Sequence, residues 1–464
     1  MTGAPHIHAP APERVLSTLN EDGSRFRIRP RLSPGRFWRR RRVVAYALIA
    51  LFIALPQIPI GGKPAILLDL ITREFTFFGA TFRPTDTIIL MILGLSIVLT
   101  VFLVTALFGR VWCGWACPQT VYLEWVFRPI ERLWEGNPNA QKKLDETPGV
   151  HGRRIGKHAT FLVLSALLAN VFLAYFVGVE RLSHWVFHSP AQHPVGFGVV
   201  IVVTALMFLD FASLREHTCI IACPYGRLQT VLVDRQSLVI GYDVGRGEPR
   251  GKAGKVSGDC VDCSACVATC PTGIDIREGL QMECIGCAQC VDACAPIMAR
   301  LGRPPGLIRY TSQDQLAGEP RRVLRGRTVV YPVLLAVAVA ALVLLIGGRA
   351  AAEVVILRGE GVPFSMLPSG EVSTQVSVKV ENKTGARHVY HLELLGADDS
   401  QVINPQPTFT LAPGHAVTAP LFVIAPRQSF HGGRRLVTVR VRDDAGFERT
   451  IEHTLLGPEG GATP

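Results

Sequence analysis

At 464 residues, with 48% apolar side chains and a mean hydropathy of +0.28, the chain has room for several folding units and is too apolar for an ordinary soluble protein. Its formal charge of +11 does not read as nucleic-acid binding, because the arginines flank apolar runs, where basic residues set membrane orientation. Twelve cysteines, none after Cys294, exclude a disulfide from the last third of the chain and fall into two ferredoxin-type runs and two C-x-x-x-C-P elements. That is a pattern of ligands rather than cross-links.

In chain order, residues 1–36 are rich in proline, arginine and polar side chains and are expected to form a disordered basic leader. No small-residue cleavage site follows, and the run Arg39 to Arg42 reads as an inside anchor rather than a twin-arginine signal. Apolar runs of about twenty residues, the length that crosses a bilayer, fall near Val43 to Ile60, Thr87 to Phe108, Ala159 to Val179, Val195 to Phe211 and Val329 to Gly347. Five spans are expected, the first shortened or kinked by Pro56. Lys and Arg number ten up to Arg42, eight in Gly109 to His158 and fifteen in Leu214 to Thr328, against three in Gly61 to Thr85 and only Arg181 between the third and fourth spans. The positive-inside rule then puts the N-terminus on the cytoplasmic side of the membrane and the C-terminal segment outside.

Two helical hairpins each end in a cysteine pair, Cys113-x-x-x-Cys117-Pro118 and Cys219-x-x-x-Cys223-Pro224, which reads as an internal repeat. A spacing of four is expected to place both sulfurs of a pair on one helical face, with each proline starting a change of direction. Thiolates so placed select Cu(I), zinc or iron–sulfur species over hard cations; inert burial at a span end is the plainer alternative. A Gly-, Arg- and Lys-rich linker from Val244 to Gly258 leads into Cys260-x-x-Cys263-x-x-Cys266-x-x-x-Cys270-Pro271, a run repeated as Cys284, Cys287, Cys290 and Cys294 with Ala295 before Pro296. This is the spacing of a bacterial two-cluster ferredoxin, in which the fourth cysteine of each run serves the other [4Fe–4S] cluster. One cluster is expected on Cys260, Cys263, Cys266 and Cys294, the other on Cys284, Cys287, Cys290 and Cys270; structural zinc does not use this spacing.

Beyond about Val354 the chain alternates apolar and polar residues, as in Val372 to Val380 and Leu436 to Arg442, with turn signals such as Asn382 to Gly385 and Asp443 to Gly446. About 100 residues of such strands fit an immunoglobulin-like sandwich. The fold class is therefore a multi-domain membrane protein: leader 1–36, four-span domain 37–240 with both C-x-x-x-C-P elements, linker and 2[4Fe–4S] ferredoxin domain 241–320, fifth transmembrane helix 321–350, and an all-β immunoglobulin-like domain 351–464. His184, His188 and His193 read as a wet outer loop, His217 as a candidate aid to a metal at Cys219, and Trp112, Trp115 and Trp125 as an interfacial belt.

The stretches Trp112 to Val121 with Glu124 and Ile130 to Arg132, Cys219 to Gln229, Tyr242-Asp243 with Arg246 to Lys252, and the two cluster runs together resemble the cytochrome c oxidase accessory protein family (FixG, RdxA, CcoG). The resemblance extends from the first span through the immunoglobulin-like tail. It implies a cupric reductase that converts Cu(II) to Cu(I) for assembly of cbb-type cytochrome oxidase, with Cys113, Cys117, Cys219 and Cys223 holding copper and oxidase assembly factors or copper chaperones as partners. A quinol-linked electron conduit and a non-enzymatic assembly scaffold are the alternatives. No G-x-G-x-x-G stands between an expected strand and helix, so electrons are expected from an unidentified protein donor or from quinol.

Overall fold

A computed structural model of the chain describes residues 27–60, 63–82, 86–147, 149, 151–251, 258–348, 350–358 and 362–458. The leader up to residue 26 and the linker residues 252–257 lie outside the described residues. Two compact units emerge, one holding most of the chain up to Leu342 and the other built on 343–464 with the short segments 60–63 and 75–83.

Among the described residues, four helices are long and apolar enough to cross a membrane: Thr87–Phe108, Gly152–Val177, Pro194–Leu214 and Gly326–Gly347. Their side chains are apolar nearly all round, as lipid-facing helices require. Gly109 and Gly178, both at positive φ, end two of them, and Pro194 starts another at its first turn, where a missing N–H costs nothing. The expected first span takes a different form. Its helix is Arg36–Ala54, so it begins with the arginine run and stops before the 3-10 turn Leu55–Gln57, where Pro56 removes a backbone donor.

Residues 27–36 correct the expectation of disorder where it falls on described residues. Ile28 is buried, the Arg31 N–H donates to the Ala268 carbonyl (2.7 Å), and Thr269 Oγ1 donates to the Arg31 carbonyl (2.9 Å). Residues 27–35 are thus held by backbone pairing to the ferredoxin loops, a tertiary contact that composition does not encode. The linker's described half is close-packed as well. The Asp243 carboxylate caps Val244–Gly247, and Arg246 reaches Asp259 (2.7 Å) and the carbonyls of Pro304 and Pro305.

The ferredoxin loops rest on an antiparallel pair of strands, Val239–Tyr242 and Ile308–Thr311, with Ile240, Tyr242, Ile274, Ile276, Leu307 and Ile308 as their core.

The second unit is a sandwich of antiparallel sheets. In one, Gln401–Ile403, Ala416–Ala425, Val372–Asn382 and Ala352–Arg358 lie side by side, with Ser365–Met366 on the end of the third; the other orders Thr408–Leu411, His388–Leu395, Arg434–Asp443 and Glu448–Leu456. The alternation seen in sequence is the cause. From Val372 to Val380 every second residue is buried, and Val376, Val378, Val380, Leu421, Val423, Val439 and Val441 close a common core.

Candidate functional site

The two cysteine runs fold alike. Asp262 and Ser264 in the first loop, and Gly286 and Ala288 in the second, all adopt positive φ. Ser264 and Ala288 then cap the helices Ala265–Ala268 and Gln289–Arg300, on which the third cysteines, Cys266 and Cys290, sit. Left-handed residues between the cysteines curl each loop tightly enough for its sulfurs to face inward. Cys260, Cys263, Cys266 and Cys294 line one cavity; Cys270, Cys284, Cys287 and Cys290 line another, with Cys266 on the wall between them. Each run's fourth cysteine thus faces the other run's cavity.

Apart from Arg277 the walls are largely apolar, including Ile297, Met298 and Ile308 around the first and Ile274, Ile276 and Ile285 around the second. Burial pushes the thiols of Cys284 and Cys294 up to about 12 and that of Cys266 to about 11. A thiol so buried ionises only when a metal replaces its proton. Four cysteines around each largely apolar cavity, with Cys263 alone exposed, fit a thiolate-held cluster.

The C-x-x-x-C-P elements are built as a repeat, with one departure from expectation. Cys113 lies on the short helix Val111–Trp115, but that helix ends before Cys117, whose ψ of 125° is non-helical; Cys117 instead caps Pro118–Tyr122. Cys219 lies in the π-helical turn Thr218–Ala222, and Cys223, at ψ 108°, caps Pro224–Leu232. The pairs therefore do not share a helical face. Proline at the next position excludes the α conformation for the second cysteine of each pair.

The four thiols nevertheless lie near enough for their charges to act on one another. Burial pushes the Cys219 thiol up to about 12, and neighbouring Cys117, Cys113 and Cys223 add to the rise; the Cys113 thiol, raised to about 11, also feels Cys117 and Cys223. They do not close into a ready-made single-ion cage, since among the described residues no three of them bring their sulfurs within 4.8 Å of one another. Cys113 Sγ donates to Gln229 Oε1 (2.9 Å), and the fully buried Gln229 donates onward to Thr105 Oγ1 (3.2 Å) and Tyr225 OH (3.0 Å). Sequence reasoning did not single out Gln229 as a functional side chain; its only signal was its place at the end of the Cys219 to Gln229 stretch.

The first element presses on the second cluster loop. Cys113, Ile285 and Cys287 form one buried patch. A Cβ on Gly114 would stand 2.5 Å from the Ile285 carbonyl oxygen and 2.9 Å from the Cys287 backbone, so only glycine allows this approach. Buried Arg41 donates to the Gly114 carbonyl (2.7 Å), and Arg110 donates to the Met282 carbonyl. Trp115 Nε1 donates to Tyr310 OH (3.0 Å), which donates to the Gly286 carbonyl (2.5 Å). Asp292, between the cluster cysteines Cys290 and Cys294, accepts the N–H groups of Phe37 and Trp38 and so caps the first helix.

Behind this contact lies a buried network of ions. Arg128 pairs with Glu124 and Glu216 and donates to the Pro271 carbonyl (3.2 Å), next to Cys270. Arg215 grips Glu131 at 3.0 and 2.9 Å, and Lys157 reaches Glu135 at 2.7 Å. Burial alone would raise the Glu131 carboxyl, but Arg215, with Arg27 and Lys157, holds it down at about 2.

The remaining candidates separate. The His184 and His188 rings lie 4.7 Å apart, and neither these nor His193 or His217 belongs to a three-ligand group among the described residues. Trp112 is exposed, but Trp115 is tied to Tyr310, and Trp125 is buried against Trp38 and Tyr46, so the three do not form one interfacial belt. The cause for Trp125 is the first helix, whose residues pack over it.

Apolar helices of membrane length and paired cysteine-lined cavities define a membrane iron–sulfur electron-transfer protein. Family models agree: a 4Fe-4S dicluster domain matches residues 214–313, a 4Fe-4S binding domain residues 90–137, and the IG-like fold at the C-terminal of FixG residues 342–458. Protein RdxA of Cereibacter sphaeroides is 34% identical over 426 residues, covering 88% of this chain and 87% of RdxA. Nitrogen fixation protein FixG of Rhizobium meliloti is 36% identical over 330 residues, covering 68% of this chain and 62% of FixG. The chain belongs to the FixG/RdxA family. A crystal structure of a FixG-related protein from Vibrio parahaemolyticus aligns at 20% identity and TM-score 0.21, covering 24% of this chain and 98% of that one.

Proposed function

We propose that this protein is a cupric reductase of the bacterial inner membrane that supplies Cu(I) for the assembly of cbb-type cytochrome oxidase. The observation that carries this reading is the buried contact of Cys113 with Cys287, which joins a gathered set of thiols to a cluster loop without intervening chain. Cys260, Cys263, Cys266 and Cys294 hold one [4Fe–4S] cluster, and Cys270, Cys284, Cys287 and Cys290 the other. When bound, these clusters would supply one-electron transfer, within a range of about −700 to +450 mV whose low end makes passage to Cu(II) downhill.

Cys113, Cys117, Cys219 and Cys223 take Cu(II) as substrate. It accepts one electron, and the resulting Cu(I) is favoured by thiolate ligands. Gln229 orients the Cys113 sulfur, and the apolar patch around it keeps water from the transfer. In this reading the Arg36–Ala54 helix is a fifth span, anchored inside by its arginines, the cysteine elements and ferredoxin loops face the cytoplasm, and the C-terminal sandwich faces the periplasm and docks an oxidase assembly factor or copper chaperone.

The test is copper uptake and valence in purified, cluster-loaded protein. Reduced protein given Cu(II) is expected to lose cluster signal and cupric signal together and to retain about one or two Cu(I) per chain. Replacing all four membrane-edge cysteines by serine, with unchanged copper retention, would sink the reading.

Electron entry from a quinol draws support from one further feature. A mostly apolar cavity beside the end of the Thr87–Phe108 span, lined by Val111, Leu238 and Met282 with Arg110 and Tyr310, reaches Cys284. Anaerobic quinol that reduces the clusters in copper-free protein supports this entry route; clusters left oxidised exclude it.

A further inference from the structure

The C-terminal sandwich carries a second group of ligand-type side chains, remote in sequence from every cysteine. His388 opens the strand His388–Leu395, and Asp443 closes its antiparallel neighbour Arg434–Asp443, where Tyr390 pairs with Asp443. Asp444 begins the following turn. His388 Nδ1 lies 2.9 Å from Asp444 Oδ1 and 3.9 Å from Asp443 Oδ2. Among the described residues these three form the one group of His, Cys, Asp or Glu whose ligand atoms all lie within 4.8 Å of one another.

A histidine beside two aspartates on a turn is ordinarily a surface ion pair, and half-exposed Asp444 alone would be no more than that. Asp443 is different. Its side chain is only 1% exposed, and its Oδ1 is fully used, accepting the N–H groups of Ala445 (2.8 Å) and Phe447 (2.7 Å). Its Oδ2, the oxygen nearer His388, has no hydrogen-bond partner among the described residues. The hydroxyl of fully buried Tyr390, on the same strand as His388, also lacks one. Buried polar atoms are almost always paired, and an orphaned carboxylate oxygen facing His388 marks a missing partner.

We propose that His388, Asp443 and Asp444 bind one divalent transition-metal ion of borderline softness, Zn(II) or Cu(II). Imidazole with two carboxylates suits such ions; the group offers no sulfur for Cu(I) and too few oxygens for Ca(II). Bonds of about 2.0–2.2 Å place any two ligands of one ion at most about 4.4 Å apart, a range that contains both measured separations from Nδ1. The ion takes the place of the Nδ1 proton now shared with Asp444, and only small side-chain rotations are needed. The two backbone N–H groups on Asp443 Oδ1 fix that carboxylate with Oδ2 presented, the kind of support that metal-ligating carboxylates receive. Three protein ligands leave a coordination position open to water or to a donor from a partner. The site shares no residue with the membrane-edge thiols and stands whether or not they carry copper.

The experiment uses the full chain in detergent, without a histidine tag and with Cys113, Cys117, Cys219 and Cys223 replaced by serine so that thiols do not compete. Calorimetric titration with Zn(II) is expected to give one site per chain, weakened at least tenfold by His388→Gln and by Asp444→Asn. Both replaced side chains lie at the surface end of the site, so these variants are expected to keep the sandwich folded, checked by an unchanged metal-free melting temperature. Zn(II) should raise the melting temperature of the parent and not of His388→Gln, and Cu(II) should show the hyperfine signature of one imidazole nitrogen, lost in the same variant. Zn(II) affinity unchanged by His388→Gln overturns the proposal, as does equal affinity for Mg(II).

Discussion

Cys113 of the first cysteine element and Cys287 of the second cluster loop share one buried patch, and the residue that lets them meet is Gly114. At Gly114 the approach is backbone against backbone, with no room for a methyl group. Electron transfer between a cluster and a thiol-held ion depends steeply on such spacing, and the closeness is therefore both a structural and a functional commitment.

Gly114→Ala tests it. The added Cβ meets the Ile285 carbonyl and the Cys287 backbone, neither of which can rotate away. Overpacking of this kind costs about 1–3 kcal/mol. The expected outcome is selective damage to the cluster held by Cys284, Cys287 and Cys290, with iron falling from roughly eight toward roughly four per chain. Iron analysis and electron paramagnetic resonance check it; a full complement with unchanged electron transfer contradicts it.

Cys294→Ser separates the two cavities. Cys294 follows the second run in sequence but lines the cavity of Cys260, Cys263 and Cys266. The spectrum of that first cluster should therefore change, by loss or conversion to a three-iron form, while the cluster beside Cys287 keeps its signal. The opposite pattern would place Cys294 with its own run.

The ion network makes the fold acid-sensitive in a defined window. Glu131, held at about 2 in the folded protein against 4.5 for a free glutamate carboxyl, binds protons more readily when unfolded. Its contribution is present above about pH 4.5 and is lost as pH falls toward 2. Glu131→Gln should remove part of this acid dependence, measured as melting temperature against pH. It should also lower stability at neutral pH, by less than the roughly 3–5 kcal/mol of a wholly unpaired buried charge, because Arg215 keeps only Glu216, at 3.7 Å, as counter-charge.

Leu421→Ala probes the sandwich alone. Leu421 is fully buried in the core between the sheets. Cavity formation is expected to cost about 2–5 kcal/mol. Thermal unfolding should show the C-terminal transition shifted down while cluster absorbance is unaffected at temperatures below it.

Much of this was legible in the residues because it is local. Cysteine spacing specifies tight loops that surround a cluster, long apolar runs specify membrane helices, and alternation from Val372 to Val380 specifies a strand with one buried face. Expectations failed where a local rule met a stronger one. The i, i+4 geometry of each cysteine pair gave way to the steric demand of Pro118 and Pro224, and the polar, proline-rich stretch 27–35 was ordered by hydrogen bonds to Ala268 and Thr269.

By itself, then, the sequence determined the parts: membrane helices, two cluster loops, a repeated thiol element and an all-β tail, each encoded within a few tens of residues by period, spacing or composition. Tertiary structure decided what touches what. Cys113 meets Cys287, Asp292 caps a helix 254 residues away in sequence, Arg128 supports the carbonyl beside Cys270, and His388 lies beside Asp444, 56 residues distant. Such pairings arise from packing of already formed elements, and no local pattern records them, since the energy that selects them comes from burying surfaces contributed by distant parts of the chain.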